Sequence, residues 1–248
     1  MALRRIPVVR VAGIEVAAHP SWFPVLALVC VGADRGFSEL FPERSAVVLA
    51  GLAAATGVAF FACLTLHELA HALVAQRLGV RVRSIVLFMF GGVAEIDREA
   101  PSPAAEFAIA LVGPAVSVAL GSGAGLVALA ASARGAELTG ALFGALALVN
   151  LGVALFNLVP GLPLDGGRIL RAALWRATAD RARATRIAGR GGRVLAALVA
   201  AGGVGIAVLG HEPFGLWYVP MGGFLWAVAA AAARRAPPDP IASPRGRG

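Results

Sequence analysis

The chain has 248 residues, of which 58% are hydrophobic and only 15% charged, and its mean hydropathy is +0.80. Soluble domains carry about 25% charged residues, so disorder, a disulfide-stapled secreted scaffold and a water-soluble globule are excluded. The formal net charge is +8, and all 22 basic residues are arginine; they fall where membrane topology would put them rather than on a nucleic-acid face, and no nucleic-acid partner is expected.

The first thirteen residues hold Arg4, Arg5 and Arg10 but no apolar core behind them. A cleaved signal peptide is therefore not expected, and the first apolar segment is read as a retained anchor. A spanning helix needs about 20 mostly apolar residues. Six segments qualify, near 15–33, 46–77, 104–132, 138–160, 189–209 and 214–233. The first is interrupted by His19-Pro20 and Pro24, and the second is longer than a bilayer requires. Between the second and third spans, VRVRSIVLFMFGGVAEI (80–96) has the β-branched and aromatic character of a strand or hairpin around Gly91-Gly92. Open backbone of this kind cannot face lipid, so at membrane depth it must be covered by protein or line a wet cavity. The 166–188 stretch mixes arginines with Ile169, Leu170, Leu174 and Trp175, as a helix lying on an anionic membrane surface would.

The predicted fold is thus an all-α polytopic membrane protein of about six transmembrane helices with a short β element between the second and third. One membrane-embedded domain is expected over 1–235, followed by a disordered, Pro- and Arg-rich tail over 236–248. Six spans place both termini on one side. The loops and ends on that side hold nineteen arginines, whereas only Arg35, Arg44 and Arg134 fall on the other. The positive-inside rule then makes both termini cytoplasmic in a multi-pass protein of the cell membrane.

The second span contains His67-Glu68-Leu69-Ala70-His71, an H-E-x-x-H pattern. Residues four apart on a helix share a face, so two imidazoles so placed can converge on one zinc ion. Glu68, beside the first, can take a proton from water activated there. A charged residue at mid-bilayer costs about 2.5–3.5 kcal/mol or more, which argues for a functional site. A catalytic zinc takes a third protein ligand. Cys63 fails on reach, since positions i, i+4 and i+8 span about 12 Å along a helix. His19 sits at the start of the first span, where a polar residue is ordinary. Asp165 is the better candidate: it follows Phe156-Asn157-Leu158-Val159-Pro160-Gly161-Leu162-Pro163-Leu164, whose prolines and glycine break the fourth span. The alternative reading of Asp165 is a cap on the helix that follows.

Three stretches together resemble the site-2 proteases, membrane-embedded zinc metalloproteases that cut substrates within or near their transmembrane segments. They are H-E-L-A-H at 67–71, F-G-G-V-A at 90–94 and N-x-x-P-x-x-P-L-D-G-G-R at 157–168. Gly13-Ile14-x-Val16 and His19-Pro20-Ser21-Trp22 are similar to the start of the six-span prokaryotic branch, and the likeness extends to about residue 235. It implies His67, His71 and Asp165 as ligands of one zinc per chain and Glu68 as general base. It also implies a transmembrane protein substrate, such as a membrane-anchored regulator (an anti-sigma factor) or a signal-peptide remnant. Asn157 is a candidate oxyanion donor or a partner for backbone freed by the prolines. Gly91 and Gly92 belong to a strand that either pairs with unwound substrate or only shapes the cavity. Several members of this branch carry a pair of CBS modules after the last span; here a short polar tail follows Arg235, so their regulation is expected to be absent or supplied by a partner, or the chain to be a truncated form.

Two other classes compete. A metal-ion or proton transporter would use buried His, Glu and Asp as a pathway, but no second polar set crosses the other half of the membrane and no inverted repeat appears. A non-proteolytic membrane adaptor of the same fold would not need the complete H-E-x-x-H and aspartate set.

Overall fold

The structure is a computed structural model that describes residues 5–89, 91–96 and 99–235. The expected tail, 236–248, and Phe90 of the F-G-G-V-A stretch lie outside the described residues. The chain divides into two compact units, Met1–Glu99 with Val112–Leu155, and Ala100–Leu111 with Phe156–Gly248.

The first unit opens with a sheet that is larger than the sequence suggests. Strand β1 (Ile6–Val11) turns at Ala12-Gly13 into β2 (Ile14–Ala18), and β3 (Val82–Phe88) turns into β4 (Gly91–Ile96). Both turn residues have positive φ, 50° and 81°, the twist that a tight hairpin favours. The order is β1-β2-β3-β4, antiparallel except for the parallel pair β2–β3. Parallel neighbours need a long crossover, and two helices supply it. The residues 15–18 expected in the first span are therefore strand, buried along Ile14, Val16, Ala17 and Ala18. A hydropathy window cannot separate a five-residue apolar strand from the apolar helix that follows it.

The first helix, α1, accordingly runs Trp22–Leu40 rather than 15–33. His19 forms its approach: Nδ1 lies 2.8 Å from Ser21 Oγ, and its backbone N–H donates to Leu87 O across the sheet. Pro24 falls in the first turn, where a missing N–H costs nothing. Helix α2 (Ala46–Arg77) keeps the expected bounds. At 32 residues it is about 48 Å long, well beyond the roughly 30 Å hydrocarbon layer. Gly57 lets α1 and α2 close up, since a Cβ there would stand 2.6 Å from Cys30 Sγ. Phe37 packs with Leu49 and Ala53, joined by Ala141 and Ala145 of α4 (Glu137–Asn157). Helix α3 (Pro103–Ser132) meets α4 through Gly121, whose Cβ would be 2.8 Å from Leu151 Cγ.

In the second unit, α5 (Asp165–Thr178) and α6 (Arg181–Leu209) are separate helices, not one surface helix over 166–188. Ala179 ends α5 at φ 55°, and the Asp180 carboxylate accepts from Arg183 N at 2.8 Å to start α6. A 3₁₀ turn (Pro213–Trp217) leads into α7 (Tyr218–Arg235). The loop before α5 lies against α6: Leu162 N donates to Ala188 O at 3.1 Å, and a Cβ on Gly192 would overlap the Leu162 carbonyl. Glu106, fully buried in the first turn of α3, accepts two hydrogen bonds from Arg171 of α5, from Nε at 2.8 Å and from Nη2.

Among the described residues, five segments are long and apolar enough to cross a membrane: Ala46–Arg77, Pro103–Ser132, Glu137–Asn157, Arg181–Leu209 and Phe214–Arg234. Helix α1 is the sixth helix of comparable length, but its second half carries Asp34, Arg35 and Glu39.

Candidate metal centre

His67 and His71 stand one turn apart on α2, 2% and 9% exposed. Burial this deep removes both imidazoles from water, and the structure turns them toward each other: their Nε2 atoms are 3.1 Å apart, with ring planes at 76°. Two nitrogens held about 2.0–2.1 Å from one tetrahedral ion stand about 3.3–3.4 Å apart, so the observed spacing is close to that of a shared metal. On the far side of the His67 ring, Nδ1 lies 2.9 Å from Ser117 Oγ. Ser117 is buried on α3. An Nδ1–H donated to this hydroxyl leaves the Nε2 lone pair facing His71, the tautomer a metal ligand needs.

Gly113 explains why the space is open. It lies one turn before Ser117 on the same face of α3, and a Cβ built on it would strike His71 Nε2 and stand 2.7 Å from His67 Nε2. Any side chain there would occupy the place between the two nitrogens. Gly113 is thus a point of close helix contact, and what it contacts is the histidine pair.

Glu68 is half-buried beside His67. Its neighbour is β4, where a Cβ on Gly92 would fall 2.5 Å from Glu68 Cδ and 2.8 Å from Oε2. A bare backbone at 92 therefore lets the strand pass the carboxylate without displacing it. Gly91 precedes it at φ 127°, a conformation open to glycine.

Asp165 is the first residue of α5 and 7% exposed. It is not the helix cap, because Leu164 occupies that position. Gly166 and Gly167 after it are obligatory small residues: a Cβ on either would overlap backbone of the 158–162 loop. His67, His71 and Asp165, all buried, form a group that could hold a metal ion, each offering a ligand atom within 4.8 Å of the others. Two imidazoles and a carboxylate suit zinc, which takes such N and O donors and keeps a fourth position open in catalytic sites. Cys63 and His19 are not in this group among the described residues. Asn157 closes α4, half-buried.

The profile of Peptidase family M50 matches residues 55–133 and 122–199, a region that holds both histidines, the glutamate and Asp165. The chain belongs to this family. Rip3 of Mycobacterium tuberculosis is 42% identical over 225 residues, covering 90% of this chain and 57% of Rip3. A Synechocystis protein is 38% identical over 231 residues, covering 90% of this chain and 58% of its own. Both bear provisional names as zinc metalloproteases, and this chain spans less than three fifths of their length. Among solved structures, the site-2 protease of Methanocaldococcus jannaschii superposes with a TM-score of 0.60 at 26% identity, over 95% of this chain and 98% of that one. The family member described here is a membrane protein with a site-2 protease fold, and its sheet and apolar helices belong to that fold.

Proposed function

We propose that the chain is an intramembrane zinc endopeptidase that hydrolyses peptide bonds in or near transmembrane segments of membrane-anchored proteins. The observation that carries this reading is the buried histidine pair, Nε2 atoms 3.1 Å apart, grouped with Asp165 and with Glu68 adjacent. His67, His71 and Asp165 would hold one zinc per chain. Bound zinc supplies Lewis acidity, polarising a carbonyl oxygen and making water acidic enough to lose a proton near neutral pH. Glu68 accepts that proton as the water attacks and returns it to the departing amine nitrogen. Ser117 keeps His67 in the ligating tautomer, and Gly113 keeps the space between the imidazoles clear.

A helical substrate hides its carbonyls, so it must unwind before attack. The glycines of β4 offer backbone with which an extended segment can pair, and Gly92 sets that backbone against Glu68. Asn157 is a candidate donor to the oxyanion. The arginine bias supports both termini on the cytoplasmic side, with α1 as the sixth crossing. Membrane-anchored regulators such as anti-sigma factors, and signal-peptide remnants, are the substrate classes to try first.

The test is Glu68→Gln in full-length protein, incubated with a membrane-anchored substrate and assayed for zinc. Zinc retained at one per chain with cleavage abolished is expected. Undiminished cleavage would remove Glu68 from its role, and a wild-type protein without zinc would remove the whole reading.

A further inference from the structure

The second unit carries a charge excess that its own carboxylates do not match. Residues 156–235 hold ten arginines against Asp165, Asp180 and Glu212. Asp165 belongs to the metal group, Asp180 caps α6, and Glu212 follows the opposite end of that helix. Some of the arginines have partners within the fold: Arg171 holds Glu106, and Arg181 lies over the Trp175 ring at 4.8 Å. Four of the ten converge, and Arg193 among them also lies 5.9 Å from the Trp226 ring. Arg186, Arg190 and Arg193 follow one another at i, i+4 and i+7 on α6, and with Arg234 of α7 they line a half-open cavity of about 210 Å³. Its remaining lining is Ala230 and Ala233.

Small residues bring these guanidinium groups together. A Cβ on Gly189 would stand 3.2 Å from Ala229 O and from Ala233 Cβ, so α6 and α7 pack backbone to backbone at this level. The arginines that flank the seam are then forced around one space. Plain positive-inside topology needs arginines near a membrane face, but it does not need four around a single cavity. The cavity lies in the first half of α6 and the last turns of α7, from which long arginine stems can carry their charges toward a membrane surface.

We propose that this cavity binds the phosphate of an anionic phospholipid head group. Guanidinium groups grip phosphate oxygens in pairs. The volume is several times the roughly 30 Å³ that a water molecule takes, room for a phosphodiester and its polar substituent. The alanines seat the less polar part, while the acyl chains leave through the open side. This site is independent of the metal centre, and its occupancy does not require that the protein be a protease.

The experiment is native mass spectrometry of the full chain in neutral detergent, offered phosphatidylglycerol, phosphatidylcholine or glycerol phosphate. One retained phosphatidylglycerol per chain is expected, with no comparable retention of phosphatidylcholine. Arg190→Gln with Arg193→Gln is expected to weaken retention about tenfold or more. Arg176→Gln with Arg183→Gln removes the same charge from exposed positions outside the cavity and is expected to change it less than about threefold. Equal losses from the two pairs, or equal retention of the two lipids, would overturn the proposal. Glycerol phosphate held as well as phosphatidylglycerol would give the cavity to a soluble phosphate compound and overturn the lipid assignment. If the glutamine pair does not fold, Arg190→Lys with Arg193→Lys decides. Those lysines keep the charge and lose the paired grip, so a severalfold loss supports the site and unchanged retention counts against it.

Discussion

The histidine face of α2 and the basic end of α6 both put polar groups on helices apolar enough to cross a membrane, yet they are built in opposite ways. On α2 the imidazoles lie well inside the helix, nearly sealed from solvent, with a small residue opposite them and a hydroxyl behind one ring. On α6 the guanidinium groups gather in the first half of the helix, on long stems around an open cavity. Buried polar groups must be satisfied in place, because leaving them unpaired costs the full desolvation. Groups at a helix end can reach water or lipid head groups instead. The first arrangement tolerates almost no change, and the second tolerates a good deal.

That contrast breaks most sharply at Gly113. Gly113→Ala is expected to abolish stoichiometric zinc binding while circular dichroism still reports a folded helical protein, because the added methyl falls between the two imidazole nitrogens. Retention of one zinc per chain in that variant would show that the space has another use. Next in size is the buried pair in the second unit. Arg171→Ala leaves the fully buried Glu106 carboxylate without its arginine, at a cost of about 3–5 kcal/mol, to be read as a large drop in the denaturation midpoint. Replacing exposed Arg176 by Ala should move that midpoint little.

A smaller effect is expected at Ser117, which touches His67, a proposed ligand, on the ring edge away from His71. Ser117→Ala should weaken zinc affinity by about 10–100-fold in chelator competition, with Ser117→Thr restoring part of it because the hydroxyl is kept. An unchanged affinity would make the hydrogen bond a packing detail. The smallest effect belongs to the exposed end of the sheet. The Ser84 hydroxyl donates to Glu95 at 3.0 Å and Arg5 adds a further bond and its charge, so the Glu95 carboxyl is held below its ordinary value of 4.5. A depressed carboxylate stabilises the fold at neutral pH and loses that contribution as the pH falls through its folded value. Glu95→Gln should therefore lower the thermal midpoint slightly at neutral pH and not at all well below pH 4.5. The same difference at both would assign the effect to shape, not charge.

Much of this was legible in the residues because it rests on spacing and on long apolar runs. The bounds of α2, the H-E-x-x-H face and the β3–β4 hairpin all follow from helix pitch, hydropathy and breaker residues, whereas Asp165 as a ligand is what the family resemblance implies, its spacing alone allowing a helix cap as well. The β1–β2 hairpin did not, because Ile14–Ala18 is short, apolar and merges with the helix after it. The break between α5 and α6 at Ala179-Asp180 rests on one left-handed residue and one cap, too local for a hydropathy argument. Gly113 and Ser117 were hidden for a different reason. What they do depends on which helix lies against them, and a glycine and a serine in an apolar run carry no sign of it.

The most direct measurement is the zinc-edge X-ray absorption spectrum of the purified full chain, beside that of Asp165→Asn. The account predicts one zinc with two imidazole nitrogens at about 2.0–2.1 Å and an oxygen shell, no sulfur, and a weakened or altered oxygen shell in the variant. A sulfur shell from Cys30 or Cys63, or a spectrum untouched by Asp165→Asn, would contradict it.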